Sequence, residues 1–179
     1  MDRRQKRTRN AILRAFSTLL ERKRYEQISV QDIIEKADVG RSTFYAHFET
    51  KDALLKTLCD EVFEHIFEGE TCEYPVNTGD LSETLAHILW HLRQRKGDVK
   101  GLLGSESGGL FQQYLKENLH VLFQRRQEAF HANVPEDFLL HHLVGAFSET
   151  VSWWVKRDME DEPAKVAAYF MEVVETHET

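Results

Sequence analysis

Apolar residues along the chain recur at spacings of three and four, the period of helices that bury one face. Ile12, Phe16, Leu19 and Leu20 form such a stripe, widened by Leu13 and Ala15, and predict a first helix from about Arg4 to Lys23. After a short loop, Ser29 stands as a cap, with Asp32 three positions on to complete a capping box. Ile28 and Ile33 flank it as a hydrophobic staple. The helix so started is brief, about Val30 to Lys36, and stops at Ala37-Asp38-Val39-Gly40. A third helix begins near Arg41, with Gly40 as its cap and Val39 and Phe44 as a second staple. Thr50 caps a fourth, with Asp52 in the first turn, where the helix dipole favours an acid. Its apolar side runs from Ala53, Leu54 and Leu55 through Leu58 and Val62 to Ile66 and Phe67, ending near Gly69.

Residues 70–79, with Pro75 and Asn77, read as loop. Asp80 and Glu83 make another capping pair before a helix of about Leu81 to Lys96, lined by Leu85, Ile88, Leu89 and Leu92. The stretch 97–109 is glycine-rich and poorly periodic, which predicts one short helix between turns. A long helix follows from about Leu110 to Ala132, with Phe111, Leu115, Leu119, Leu122 and Phe123 inward. Pro135 and Pro163 open two more, about Glu136 to Arg157 and Ala164 to Glu175. With only three prolines and about nine helices in 179 residues, the chain is expected to be all-α.

Charge divides this picture in two. The net charge of −7 argues at first against a nucleic-acid partner. Residues 1–56, however, hold 13 Lys+Arg against 8 Asp+Glu, while the remainder holds 10 against 22. A basic head can attract phosphates while an acidic body discourages indiscriminate coating of DNA. Two cysteines, Cys59 and Cys72, are no framework for a disulfide-stapled secreted domain. Met1 is followed by charged residues rather than an apolar leader, and no run approaches the ~20 apolar residues of a membrane span. The expected location is the cytoplasm, with no membrane association.

Two short helices joined by a tight turn, behind one longer helix, form the layout of a helix-turn-helix whose second helix enters the major groove. The residues after Gly40 suit that task. Arg41 can pair bidentately with guanine or clamp a phosphate. Ser42 and Thr43 carry hydroxyls near the helix start, where backbone N–H groups also favour phosphate oxygens. Tyr45 and His47 lie further along, and Lys51 starts the next helix. Phe44 and Phe48, one turn apart, should face inward and hold the reading helix in place.

The run from Ser29 to Phe48, Ser-Val-Gln-Asp-Ile-Ile-Glu-Lys-Ala-Asp-Val-Gly-Arg-Ser-Thr-Phe-Tyr-Ala-His-Phe, followed by Lys51-Asp52-Ala53-Leu54-Leu55, resembles the DNA-binding region of the tetracycline-repressor family. The resemblance covers about residues 7–55. It implies a helix-turn-helix domain over 1–50 and an effector-binding and dimerisation bundle over 51–179. It implies base contacts from Arg41 and Ser42 and phosphate contacts from Thr43, Tyr45, His47 and Lys51; Ser29 completes the expected DNA-binding set. Two positions depart from the family's pattern: Asp38, where glycine is usual in the turn, and Gly40, where serine is common. Aspartate tolerates left-handed backbone, so the turn should survive. Loss of a side chain at 40 bears on operator preference.

In the resembled family the body binds a small effector and its last two long helices form the dimer seam. Here Leu139, Leu143, Phe147, Val151, Trp154, Tyr169, Phe170 and Val173 are the expected seam, although such stripes also serve as plain core. Trp90, His91, Phe111, Tyr114, Phe123 and Trp153 are the pocket candidates, aromatic bodies of which several carry polar tips; core packing is the competing reading for each. The expected function is repression from a palindromic operator by a homodimer that an effector releases, with activation as the alternative.

The same helices carry residues of rival chemistry. Glu117-x-x-His120 and Glu128-x-x-His131 resemble halves of a di-iron site. They fall on what reads as one helix, about 16 Å apart along its axis, too far to share a centre. His87 and His91 could clamp a metal from one face but lack an obvious third ligand. Residues 101–109 lack the ending of a phosphate loop, and no serine sits in a nucleophile elbow. No enzyme, cofactor or metal site is expected.

Overall fold

The computed structural model describes residues 3–68, 80–103, 108–126, 130 and 134–174. Among them run nine α-helices and one 3-10 turn, with no strand. In order they are α1 (Arg3–Leu20), the turn Tyr25–Gln27, α2 (Val30–Ala37), α3 (Arg41–His47), α4 (Lys51–Glu68), α5 (Leu81–Gln94), α6 (Lys96–Leu103), α7 (Gly108–Arg125), α8 (Glu136–Lys156) and α9 (Pro163–Val174). The all-α class is as expected. None of these helices is long and apolar enough to cross a membrane.

Local chemistry explains most of the starts. The Ser29 hydroxyl accepts from the Asp32 N–H, and the Asp32 carboxylate accepts from the Ser29 N–H at 2.8 Å, closing the capping box. Thr50 Oγ1 accepts from the Ala53 N–H at 3.0 Å, and Asp80 from the N–H groups of Ser82 and Glu83. In the turn after α2, Asp38 is left-handed with φ 52° and ψ 52°, and the Val39 N–H returns to the Ile34 carbonyl at 3.2 Å. Aspartate thus does the work of the glycine it replaces.

Helix α1 ends at Leu20, short of the expected Lys23, and two later boundaries differ as well. α5 ends at Gln94 and α6 begins at Lys96, because Arg95 leaves helical geometry with φ −108° and ψ 31°. α7 ends at Arg125 rather than near Ala132. Past Phe123 the sequence offers five polar residues in succession, Gln124 to Glu128, and a helix with no apolar face to bury loses its tertiary support. The predicted loop 70–79, with Cys72, and the residues Glu128 and His131 lie outside the described residues.

The chain divides into two compact units, 1–59 with 97–111, and 60–96 with 112–179. In the first, Ile12, Phe16, Leu20, Ile33, Phe44, Leu54 and Leu55 are fully buried, and Phe16 and Tyr25 meet edge to face at 6.1 Å. Helix α6 is pressed against the end of α1. A Cβ on Gly101 would lie 2.4 Å from the Leu20 carbonyl oxygen, so this approach requires glycine. Beside it the Ser17 hydroxyl donates to the buried Asp98 carboxylate at 2.5 Å.

In the second unit, Phe123 of α7, Phe147 of α8 and Phe170 of α9 meet with ring centroids 5.0–6.3 Å apart. Trp154 is fully buried, and its indole N–H donates to the Asp161 carbonyl at 2.9 Å. A polar knot joins α7 to α8: the Ser148 hydroxyl donates to Gln112 Oε1 at 2.5 Å, and Gln112 Nε2 donates to Ser152.

Candidate nucleic-acid interface

Helix α3 has seven residues and three distinct sides. Phe44 and Phe48 point into the core, 6.2 Å apart between ring centres. Arg41 and Tyr45, also one turn apart, point outward with Ser42, and Tyr45 is 47% exposed. Thr43 and His47 lie half-buried on the flank. Gly40 caps the helix in extended conformation and gives no side-chain hydrogen bond. The inward phenylalanines therefore aim the arginine, serine and tyrosine away from the protein.

Arg41 is not loose. Its Nη2 donates to Gln31 Oε1 on α2 at 2.9 Å, and Gln31 Nε2 donates to Glu35 Oε1 at 2.8 Å. Sequence reasoning left both acceptors without a role. The Gln31–Glu35 pair carries a local signal in its i, i+4 spacing. The link to Arg41 crosses the turn and has none.

Lys51 is held inward. Its ammonium donates to the carbonyls of Tyr25 and Ile28, each at 2.8 Å, and sits 4.0 Å from the centre of the Tyr25 ring. Burial pushes its pKa down, opposed by the charges of Asp52 and Glu26. Two of its three protons serve the loop before α2; the third remains for another acceptor. The Tyr25 hydroxyl donates to Asp52, so one cluster ties that loop to the start of α4. Ser29 is likewise engaged, its hydroxyl donating to the Asp32 carboxylate. Hydrogen bonds from Ser29, and then from Lys23 at 2.9 Å, hold the Asp32 carboxyl well below the usual carboxylate range.

The electrostatics favour a polyanion. α1 carries six Lys and Arg between Arg3 and Leu20 and no acid, and Arg3, Lys6, Arg7 and Arg14 share an exposed face. Cations near a helix start oppose its dipole, at a cost of some tenths of a kcal/mol each by the usual ~0.3–1 kcal/mol range. None of these four is ion-paired among the described residues.

The seam and pocket candidates separate by burial. Leu143, Phe147, Val151, Trp154 and Phe170 are buried within the protomer, so their stripe is core; a side chain with no surface cannot meet a partner. Leu139 is half-buried. Tyr169 and Val173 are exposed, at 44% and 83%. α8 adds an outward row that the stripe missed: Phe138, stacked on His142 at 6.3 Å, then Gly145, Glu149 and Trp153. Beyond Gly145 lies open space. Of the pocket candidates, Phe111 and Phe123 are buried, Trp90, His91 and Tyr114 half-buried, and Trp153 faces outward beneath the Arg157 guanidinium at 5.3 Å. Trp90 and His91 meet edge to face at 4.9 Å, and His91 Nε2 lies 2.9 Å from His87 Nε2. Among the described residues no group of three or more His, Cys, Asp or Glu could hold a metal ion.

Comparison with known proteins agrees with this geometry. Residues 12–58 match the family described as bacterial regulatory proteins, tetR family, and residues 79–176 match the transcriptional regulator C-terminal region. The crystal structure of a TetR transcriptional regulator from Streptococcus agalactiae 2603V is similar over 98% of this chain and 97% of its own, at 34% identity and a TM-score of 0.72. The HTH-type transcriptional regulator YxbF of Bacillus subtilis is 39% identical over 71 residues, 37% of this chain and 19% of its own length. The dhaKLM operon transcriptional activator DhaS of Lactococcus lactis is 33% identical over 67 residues, 37% of this chain and 36% of its own. The matched segment thus spans well under half the length of these two curated relatives.

Proposed function

Because the chain belongs to the tetR family of bacterial regulatory proteins, whose members are transcriptional regulators and not enzymes, we propose that it is a repressor acting from a palindromic operator as a homodimer. The observation that carries this reading is the outward presentation of Arg41, Ser42 and Tyr45 from a helix anchored by Phe44 and Phe48. Arg41 and Ser42 address base edges; Thr43, Tyr45 and His47 address phosphates, joined by the third proton of Lys51. Ser29 acts indirectly, by capping the helix that carries Gln31. The exposed cations Arg3, Lys6, Arg7 and Arg14 of α1 supply sequence-independent attraction.

Two reading helices must reach successive major grooves, about 34 Å apart, which requires a two-fold particle. The seam we propose is the outward row of α8, Phe138, His142, Gly145 and Trp153, with Tyr169 and Val173 of α9. Apolar area of this kind on a protomer surface favours a partner. A small effector would enter the body near Trp90, His91 and Tyr114, half-buried aromatic groups with polar tips on α5 and α7. Its binding releases the operator. The protein works in the cytoplasm, with access to the chromosome.

Selection of bound duplexes from random DNA by the purified chain tests this reading. A two-fold symmetric consensus supports it; binding with no sequence preference overturns it. Activation is a second reading, favoured by the match to the activator DhaS, and transcript levels in a deletion strain decide between the two. Repression predicts that the operator's genes rise on deletion.

A further inference from the structure

Gln31 stands beside the reading helix with both ends of its amide occupied. Its oxygen accepts from Arg41 Nη2 at 2.9 Å, and its nitrogen donates to Glu35 Oε1 at 2.8 Å. The two contacts fix the amide's sense. Turned over, it would set an NH2 against a guanidinium and an oxygen against a carboxylate, exchanging two hydrogen bonds for two repulsions. Glu35 lies one turn along α2, so the orientation is imposed by a helix rather than by a loop. Three exposed side chains, from two helices, form one connected row across the turn.

The row matters for what Arg41 can do. An exposed arginine samples many rotamers, and a bidentate pair with guanine needs one guanidinium plane. A guanidinium carries five N–H donors, and Gln31 engages one of them. The remaining fork stays available for a base.

We propose that Gln31 is a positioning residue for sequence readout: it holds the Arg41 guanidinium in the orientation with which Arg41 discriminates its base pair. This rests on the assignment of Arg41 to a base in the preceding section. Gln31 acts through Arg41 and contacts no base itself. Glu35 sets the amide's sense from behind.

The test is selection from random duplex DNA with the full chain, comparing wild type with Arg41→Ala, Gln31→Ala and the double exchange Gln31→Glu with Glu35→Gln. Arg41→Ala marks the base pair that Arg41 reads in each half-site. Gln31→Ala is expected to relax preference at that same base pair by about three- to tenfold, within the discrimination one bidentate pair supplies. It should leave the other positions and the salt dependence unchanged, since no phosphate contact is lost. The double exchange keeps an acceptor toward Arg41 and a hydrogen bond to position 35, and is expected to retain the wild-type preference. Folding is not at issue, because alanine is at least as good a helix former at this exposed position.

Unchanged preference in Gln31→Ala, with Arg41→Ala altered, overturns the inference alone. So does a change at a different base pair, or loss of preference in the double exchange, either of which makes the amide itself the reader. No change in Arg41→Ala removes the base assignment of Arg41, and this inference falls with it.

Discussion

Replacing Gly101 with alanine probes the close approach of α6 to α1. The added Cβ would lie 2.4 Å from the Leu20 carbonyl oxygen, against about 3.3 Å for an ordinary carbon–oxygen contact. The obstacle is backbone, which cannot rotate aside, so α6 must retreat by about 0.9 Å. Overpacking of this kind costs about 1–3 kcal/mol. The retreat also stretches the bond from Ser17 to the buried Asp98 carboxylate, a contact of a class contributing about 1.5–3 kcal/mol when intact. Alanine's helical preference offsets about 1 kcal/mol. The expected net loss is about 2 kcal/mol, a fall in Tm of roughly 4–8 °C for a chain this size. Thermal and urea unfolding of Gly101→Ala and Gly97→Ala side by side provide the assay. At Gly97 the nearest atom to a new Cβ is Glu21 Cγ, 3.0 Å away on a flexible side chain that can swing clear. That variant should be as stable as wild type or up to about 1 kcal/mol more so, since alanine's helical preference meets little opposition there. If Gly101→Ala is as stable as Gly97→Ala, the packing argument is wrong.

Three further outcomes follow from the head. Asp38→Gly should gain about 0.5–1 kcal/mol in urea unfolding, because glycine adopts the observed left-handed φ of 52° without the cost an L side chain bears, whereas Asp38→Val should lose stability. The Asp32 carboxyl is held below its ordinary value of 3.8 in the folded state, so its contribution is complete above the unfolded value and is lost as pH falls. The stability gap between wild type and Asp32→Ala should be constant above about pH 5 and narrow steadily in acid; a gap that stays level down to about pH 2 contradicts the capping-box account. Arg41→Ala should weaken operator binding by about 1–3 kcal/mol, while Tyr45→Phe should weaken binding to all duplexes alike, as loss of a phosphate contact does. An operator titration in which Tyr45→Phe changes sequence preference would place the tyrosine on a base instead.

What the sequence could reveal depended on how local each cause is. The starts at Val30, Lys51 and Leu81 follow from cap residues within three positions of the groups they satisfy, and all three were readable from Ser29, Thr50 and Asp80. The inward turn of Phe44 and Phe48 follows from a single helical period. The expected seam stripe divides by burial for a physical reason. α8 carries apolar residues both buried, such as Leu143 and Phe147, and outward, such as Phe138 and Trp153, and periodicity cannot tell a stripe that faces the protomer's own core from one that faces outward. Burial of Leu143, Phe147 and Val151 separates the two. The inward hold on Lys51 had no local signal, because the carbonyls it engages belong to residues 23 and 26 positions earlier. The membership of 97–111 in the compact unit of the head rests on Gly101 and Asp98 meeting residues some eighty positions before them, a separation no window of the sequence spans.

A helix of two turns has no persistence of its own in water, where about 12–15 residues are marginal even for good helix formers. α3 exists because Phe44 and Phe48 are buried in the core of the first unit, where Ile12, Phe16 and Ile33 are buried too. The surface that would meet DNA is therefore a property of the interior behind it. Shaving a methyl group from Ile12 or Ile33 should blur recognition at a distance, through wobble of the helix rather than through any lost contact with the duplex.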